Sequence, residues 1–148
     1  MVIAIFGESC VGKSTLADML GRKLDAEVIT GKDYLRLAKN EAIAKKLFQK
    51  KLTESMTGRH VVYVISEREH LELLPEGAVR VLMTADLELI QHRFARRMHG
   101  ALPPPVKAML EKKHGCFDGE KYAFHIHNSE YAQEVCDRIS ALADLVIL

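Results

Sequence analysis

Val2-Ile3-Ala4-Ile5-Phe6-Gly7-Glu8-Ser9-Cys10-Val11-Gly12-Lys13-Ser14-Thr15 is the stretch on which the fold turns. Its first five residues are a short apolar run rich in β-branched side chains, the pattern of a strand buried on both faces. The next eight satisfy Gly-x-x-x-x-Gly-Lys-[Ser/Thr], and residues 13–24 then place Leu16, Leu20 and Leu24 at helical spacing. Strand, glycine-bearing loop and helix, in that order, form the context in which such a loop binds phosphate. The glycines let the backbone curl and turn its N–H groups inward. Those groups and the N-terminus of the following helix make an anion site. Residues Gly7, Glu8, Ser9, Cys10, Val11, Gly12, Lys13, Ser14 and Thr15 are therefore expected to cradle the phosphates of ATP. Lys13 is placed to reach the β- and γ-phosphates, and the Ser14 hydroxyl to ligate Mg²⁺.

Outward from this loop the pattern alternates strand with helix. Residues 27–30 read as a second strand, 32–56 as helical, and 60–66 as a third strand. A short helix over 67–74 ends at Pro75 and Gly77. Residues 79–83 read as a fourth strand, followed by a helix capped by Thr84 or Asp86 and running to about Met98. Residues 99–120, with Gly100, Pro103, Pro104, Pro105, Gly115 and Gly119, read as loop around one short helix. A fifth strand is expected over 122–128, and a last helix capped by Ser129 and ending near Leu142. Alternation of this kind predicts one α/β domain over 1–148: a P-loop NTPase-type three-layer α/β/α fold with a five-stranded parallel sheet and a short lid. Ligands in such sheets bind at the carboxyl ends of the strands.

Composition narrows the function classes. The 148 residues carry 21 lysines and arginines against 20 acids, a net charge of +1, which excludes a globally basic nucleic-acid binder. No apolar run approaches the length of a membrane span, and the opening residues lack the charged flank and cleavage site of a signal peptide. Three cysteines without Cys-x-x-Cys spacing fit a reducing compartment, so a cytoplasmic protein is expected. The near-zero total conceals segregation. Residues 91–114 hold six basic residues against one acid, and residues 39–51 five lysines against one. The second stretch lacks the interleaved aromatics of a nucleic-acid surface and reads as a solvated face.

Beyond the loop, several segments together resemble the nucleoside monophosphate kinase family, including its adenylate and cytidylate kinase-like proteins. GESCVGKSTLADMLGRKL resembles the family's phosphate loop and first helix. ITGKDYLRLA (29–38) resembles its acceptor-binding segment, with Lys32 as one extra residue. VRVLMTADLELIQHRFARRMHG (79–100) resembles its fourth strand and lid-entry helix, and HIHNSEYAQEVCDRI (125–139) its last strand and helix. The third strand runs into Ser66-Glu67-Arg68-Glu69, where adenylate kinases carry Asp-Gly-x-x-Arg. Lys112 and Lys113 stand where a returning arginine is common. The resemblance implies ATP and Mg²⁺ as cofactors, a lid over about 98–120, acceptor-binding helices over about 32–56, and transfer of the γ-phosphate to a nucleoside monophosphate-like acceptor. It also implies that the adenine rests near Asn128-Ser129.

Residue types assign the remaining roles. Arg93 and Arg97, four apart on one helix face, are expected to be catalytic clamps on phosphate oxygens. Arg96 points elsewhere and reads as solvated. Asp33 and Arg36 follow the second strand and are expected to bind the acceptor, with Arg36 on an acceptor phosphate or Asp33 as base toward a hydroxyl. Glu67, the only acid near the end of the third strand, is expected to hold Mg²⁺ through a water. His125 and His127 share one strand face without a third ligand at suitable spacing, which reads as the alternation of a half-buried strand. The partner is therefore a small phosphate acceptor. Two rivals stand beside this reading: a kinase of another small metabolite or a nucleoside, and a nucleotide-binding module that transfers nothing.

Overall fold

Five parallel strands in the order β2-β3-β1-β4-β5 form the centre of the molecule. They are β1 (Val2–Phe6), β2 (Glu27–Thr30), β3 (Val61–Ile65), β4 (Val79–Thr84) and β5 (Phe124–His127). This computed structural model describes the backbone of residues 1–147 and the side chains of residues 1–145. Every residue of β1 and β3 is buried, as their unbroken apolar runs require. β1 lies between β3 and β4, pairing Phe6 with both Ile65 and Leu82, so the loop that follows it leaves from the middle of the carboxyl edge.

The helices are α1 (Lys13–Leu24), α2 (Glu41–Ser55), α3 (Leu87–Arg97), α4 (Pro104–Lys113) and α5 (Ala132–Ile147). Alternation along the strands divides the core. Ile3, Ile5, Val62, Val81, Met83 and Ile126 face one layer, with Leu16, Leu20, Ile90, Leu110 and Ile139. Val2, Ala4, Phe6, Tyr63, Ile65 and Leu82 face the other, with Tyr34, Phe48, Leu52, Leu71 and Phe117. The fold is thus a three-layer α/β/α arrangement on a five-stranded parallel sheet. No helix among the described residues is long and apolar enough to cross a membrane.

Three local expectations are corrected and one is refined. The helix expected over 32–56 is a 3₁₀ turn at Asp33–Leu37 and a separate α2, because Asn40 caps the latter: its side chain accepts from the Ile43 N–H at 3.1 Å. The short helix expected after β3 is present over Arg68–Leu73, in 3₁₀ geometry. Asp86 occupies the N-cap position of α3, but its carboxylate bonds His127 and Asn128 and not the helix. Ser129 does not cap the last helix, which begins at Ala132 and continues to Ile147. Asn128, Ser129 and Tyr131 all have positive φ (52°, 61° and 62°), so the chain makes a left-handed turn there and the Ser129 hydroxyl approaches the Val11 carbonyl at 3.5 Å. Tight turning brings the end of β5 over the phosphate loop.

His125 and His127 are exposed and Ile126 between them is buried, the alternation expected of a half-buried strand. The β3-to-β4 crossover contains only a 3₁₀ turn, too short to cover β4 and the edge strand β5 on that face.

Candidate active site

Each position of the loop after β1 has a physical task. Gly7 leaves β1 where its backbone passes Met83: a Cβ there would collide with the Met83 carbonyl oxygen. Cys10 and Gly12 take positive φ, 64° and 102°, which turns the loop back on itself before α1. A Cβ on Gly12 would stand 2.7 Å from the Ser129 hydroxyl. Gly12→Ala is therefore expected to cost about 1–2 kcal/mol in urea unfolding, from the left-handed backbone. Ser129→Ala in the same chain would relieve the contact and leave that backbone cost.

Lys13 is 7% exposed, and its ammonium donates to the carbonyls of Gly7 (2.6 Å) and Glu8 (2.5 Å). Burial lowers its pKa to about 8, and the neighbouring Arg97 acts in the same direction. An ammonium whose hydrogen bonds all go to neutral carbonyls is poised for an anion. It shares a cavity of about 170 Å³ with Ser14, Thr15, Thr30, Ser66 and Arg97. The N-terminus of α1, a buried ammonium, exposed hydroxyls and a guanidinium converge there, a chemistry that fits a polyphosphate and the oxygen ligands of Mg²⁺.

The expected site residues fall into three groups. Lys13, Ser14, Thr15 and Arg97 line the cavity together. Arg93 is beside it, with its guanidinium donating to the Cys10 carbonyl at 2.9 Å, so it braces the loop. Arg96 is exposed, as expected, and also lines the open outer depression shared by Arg93 and Arg97, with Cys10, Gly12, Thr15 and Ser129. Its place on the i, i+3 edge of the Arg93 face accounts for this.

Asp33 and Arg36 line a different cavity of about 270 Å³ along the outer edge of β2, with Glu27, Tyr34 and Lys51. Asp33 also touches the strand end: its carboxylate accepts from the Thr30 N–H at 3.2 Å, and Thr30 lines the phosphate cavity. Asp33 is therefore at the junction of the two cavities, while Arg36 is turned to the β2 edge. Glu67 is not among the residues lining the phosphate cavity; Ser66 is. Glu67 lies one residue further, exposed, beside Glu69 and His70. Its carboxyl is held below its ordinary pKa, first by a hydrogen bond with Glu69 and then by nearby Lys32, His70 and Lys113.

Sequence reasoning missed two arrangements. The Glu8 carboxylate accepts from the Gly115 N–H and meets His114 Nδ1 at 3.1 Å, tying the loop to the turn after α4. Position two of the loop motif is unconstrained by pattern, so nothing in the sequence marked it. The Thr84 hydroxyl meets both His125 Nε2 (2.7 Å) and His127 Nδ1 (2.8 Å), and His127 Nε2 meets Asp86 at 3.0 Å. Asn128 and His127 together hold the Asp86 carboxyl below its usual range. The alternating histidines were legible, but their partners come from β4 through a register no local pattern encodes.

No family model matches the chain, and no curated protein matches it. Solved structures do. A sugar kinase from Janibacter sp. HTCC2649 superposes with a TM-score of 0.65 at 12% identity, covering 97% of this chain and 94% of that one. A gluconokinase from Sinorhizobium meliloti 1021 gives 0.60 at 16% identity, covering 98% and 93%. A shikimate kinase from Aquifex aeolicus VF5 gives 0.56 at 19% identity, covering 97% and 96%. The chain shares the fold of these kinases over nearly its whole length.

Proposed function

We propose that the chain is an ATP-dependent kinase of a small molecule. The observation that carries this reading is the convergence of the buried Lys13 ammonium, the Ser14 hydroxyl and the Arg97 guanidinium on one cavity at the carboxyl edge of the sheet. The shared fold with a sugar kinase, a gluconokinase and a shikimate kinase supports it. Phosphoryl transfer needs positioning and charge neutralisation more than covalent chemistry. Lys13 and Arg97 would neutralise the transferring group, and the loop N–H groups would hold the phosphates. The Ser14 hydroxyl would help to hold Mg²⁺, which would neutralise phosphate charge; Glu67 lies outside the lining of that cavity and is not assigned to this ion. Arg93 braces the loop from Cys10, and the Glu8 tie to Gly115 keeps the lid segment against it. A closed lid excludes water, which otherwise competes as acceptor.

Two acceptor classes fit such a site: a nucleoside monophosphate, as the sequence resemblance implies, or a hydroxylated metabolite. An acceptor phosphate needs free cations. Arg36 lines the β2-edge cavity, and Arg68 donates through Nε and Nη2 to Glu120 at 3.2 and 3.0 Å. A hydroxyl needs a base at the strand edge, and Asp33 is there. That contrast favours the hydroxylated acceptor.

A coupled ATP/Mg²⁺ assay across nucleoside monophosphates, polyols and sugar acids tests both levels. Turnover with a hydroxylated acceptor, absent with nucleoside monophosphates, is the expected result. Tight ATP binding without turnover for any acceptor, together with no effect of Arg97→Ala, would replace the enzyme reading with a nucleotide-binding module.

A further inference from the structure

We propose that Glu67, Glu69 and His70 form a binding site for a divalent transition metal of the Zn²⁺ class, separate from the phosphate cavity. One ligand atom from each of the three lies within 4.8 Å of the other two. The turn builds this cluster. Glu67 is the residue before the 3₁₀ turn, and the His70 N–H donates to its carbonyl at 3.1 Å. That bond closes the first turn and brings positions 67 and 70 together, with the exposed Glu67 in extended backbone at its start.

His70 is the decisive member. It is 3% exposed, and its Nδ1 has no hydrogen-bond partner among the described residues. Its Nε2 faces Glu69 Oε1 at 4.0 Å, beyond hydrogen-bond range. The ring is fixed by aromatic contact, edge-on to Tyr34 with centroids 6.0 Å apart and tilted against Tyr63 at 6.4 Å. Nδ1 is the nitrogen that burial leaves without a partner; Nε2, the nitrogen turned to Glu69, makes no hydrogen bond to a described residue and is open to a cation shared with the two carboxylates. Nitrogen and oxygen donors around a tetrahedral Zn²⁺ are about 3.4 Å apart, from bonds of about 2.0–2.2 Å. The Glu69 side chain is 69% exposed and free to rotate through the remaining gap. Imidazole nitrogen selects a borderline ion over Mg²⁺, which prefers all-oxygen octahedra. Two carboxylates and one dication balance in charge, and Lys32 and Lys113 are the cations near Glu67 that the metal must outcompete. The site would lock the turn between β3 and β4, whichever reaction the phosphate cavity performs.

The test uses the metal alone, without nucleotide, so that its outcome is independent of the phosphotransfer reading. The chelator-stripped full chain is titrated with Zn²⁺ by calorimetry and with Co²⁺ by visible absorption. One equivalent is expected to bind, with Co²⁺ bands of low-symmetry nitrogen–oxygen coordination, and millimolar Mg²⁺ is expected not to displace it. Glu69→Gln, an exposed and nearly isosteric change, is expected to weaken binding by at least about tenfold, the least that a disturbed metal site loses. His125→Ala is expected to leave it unchanged. Absence of saturable binding overturns the proposal. So does binding that survives Glu69→Gln, or binding that His125→Ala abolishes, since the metal would then sit at the β5 histidines.

Discussion

Lys13→Met is expected to lower kcat by about 10²–10³ while leaving the chain folded, the loss typical when one preorganised donor to developing transition-state charge is removed. The side chain is nearly isosteric along its stem, so the 7% exposed position stays filled. Lys13→Arg is expected to fail almost as badly, because a planar fork does not fit where an ammonium sits between the Gly7 and Glu8 carbonyls. Acidity provides a second readout. Burial lowers the Lys13 pKa from 10.5 to about 8 in the ligand-free protein. Between those values the unfolded chain holds the proton that the folded chain has released, so this group makes stability rise with pH from about 8 towards 10.5. Below pH 8 its cost is present in full. Lys13→Met should lack the rise, as comparison of the two melting curves across that window will reveal. A bound polyphosphate restores the charge. ATP binding at pH 9 should therefore take up protons, measurable by calorimetry in buffers of different ionisation enthalpy, and the variant should take up fewer.

How far the residues announce all this depends on the range of the interaction. The loop is local: two glycines, a lysine and a serine at fixed spacing, with an apolar strand before and leucines at helical spacing after, specify backbone geometry within fourteen residues. β1 and β3 were legible for the same reason, since burial on both faces leaves an unbroken apolar run. Element ends were less so, because competing signals sit close together. Lys32 to Lys39 has helical composition, but Asn40 offers a better cap, and α2 starts there. Ser129 has the chemistry of a cap but sits in a left-handed turn that tertiary packing over the loop imposes. The site divides likewise. The i, i+4 relation of Arg93 and Arg97 follows from helical periodicity. That Arg93 would be engaged by Cys10, and Arg36 turned to the β2 edge, depends on how distant elements dock. His70 was invisible as a candidate, since a histidine in a short turn shows neither its burial nor its missing partner.

Asp33→Asn separates the two acceptor classes more sharply than any ligand screen. Asparagine keeps an acceptor oxygen for the Thr30 N–H, so the strand-end contact and the 3₁₀ turn should persist. What it loses is the ability to take a proton. If the acceptor is a hydroxyl, deprotonation in the transition state falls to Asp33, and kcat should drop by about 10²–10⁴ with little change in the KM for ATP. The acidic limb of the kcat profile should disappear with it. If the acceptor is already a phosphate anion, no proton needs removing, and the same change should alter kcat by less than tenfold. Arg36→Ala gives the opposite pattern: a large rise in acceptor KM if it binds an acceptor phosphate, and little effect if it only lines the β2 edge. A chain that lost activity through Arg36 and kept it through Asp33 would restore the nucleoside monophosphate reading. The hydroxylated acceptor requires the reverse, because only a carboxylate at the end of β2 can both hold the strand edge and accept the proton that phosphoryl transfer to an alcohol releases.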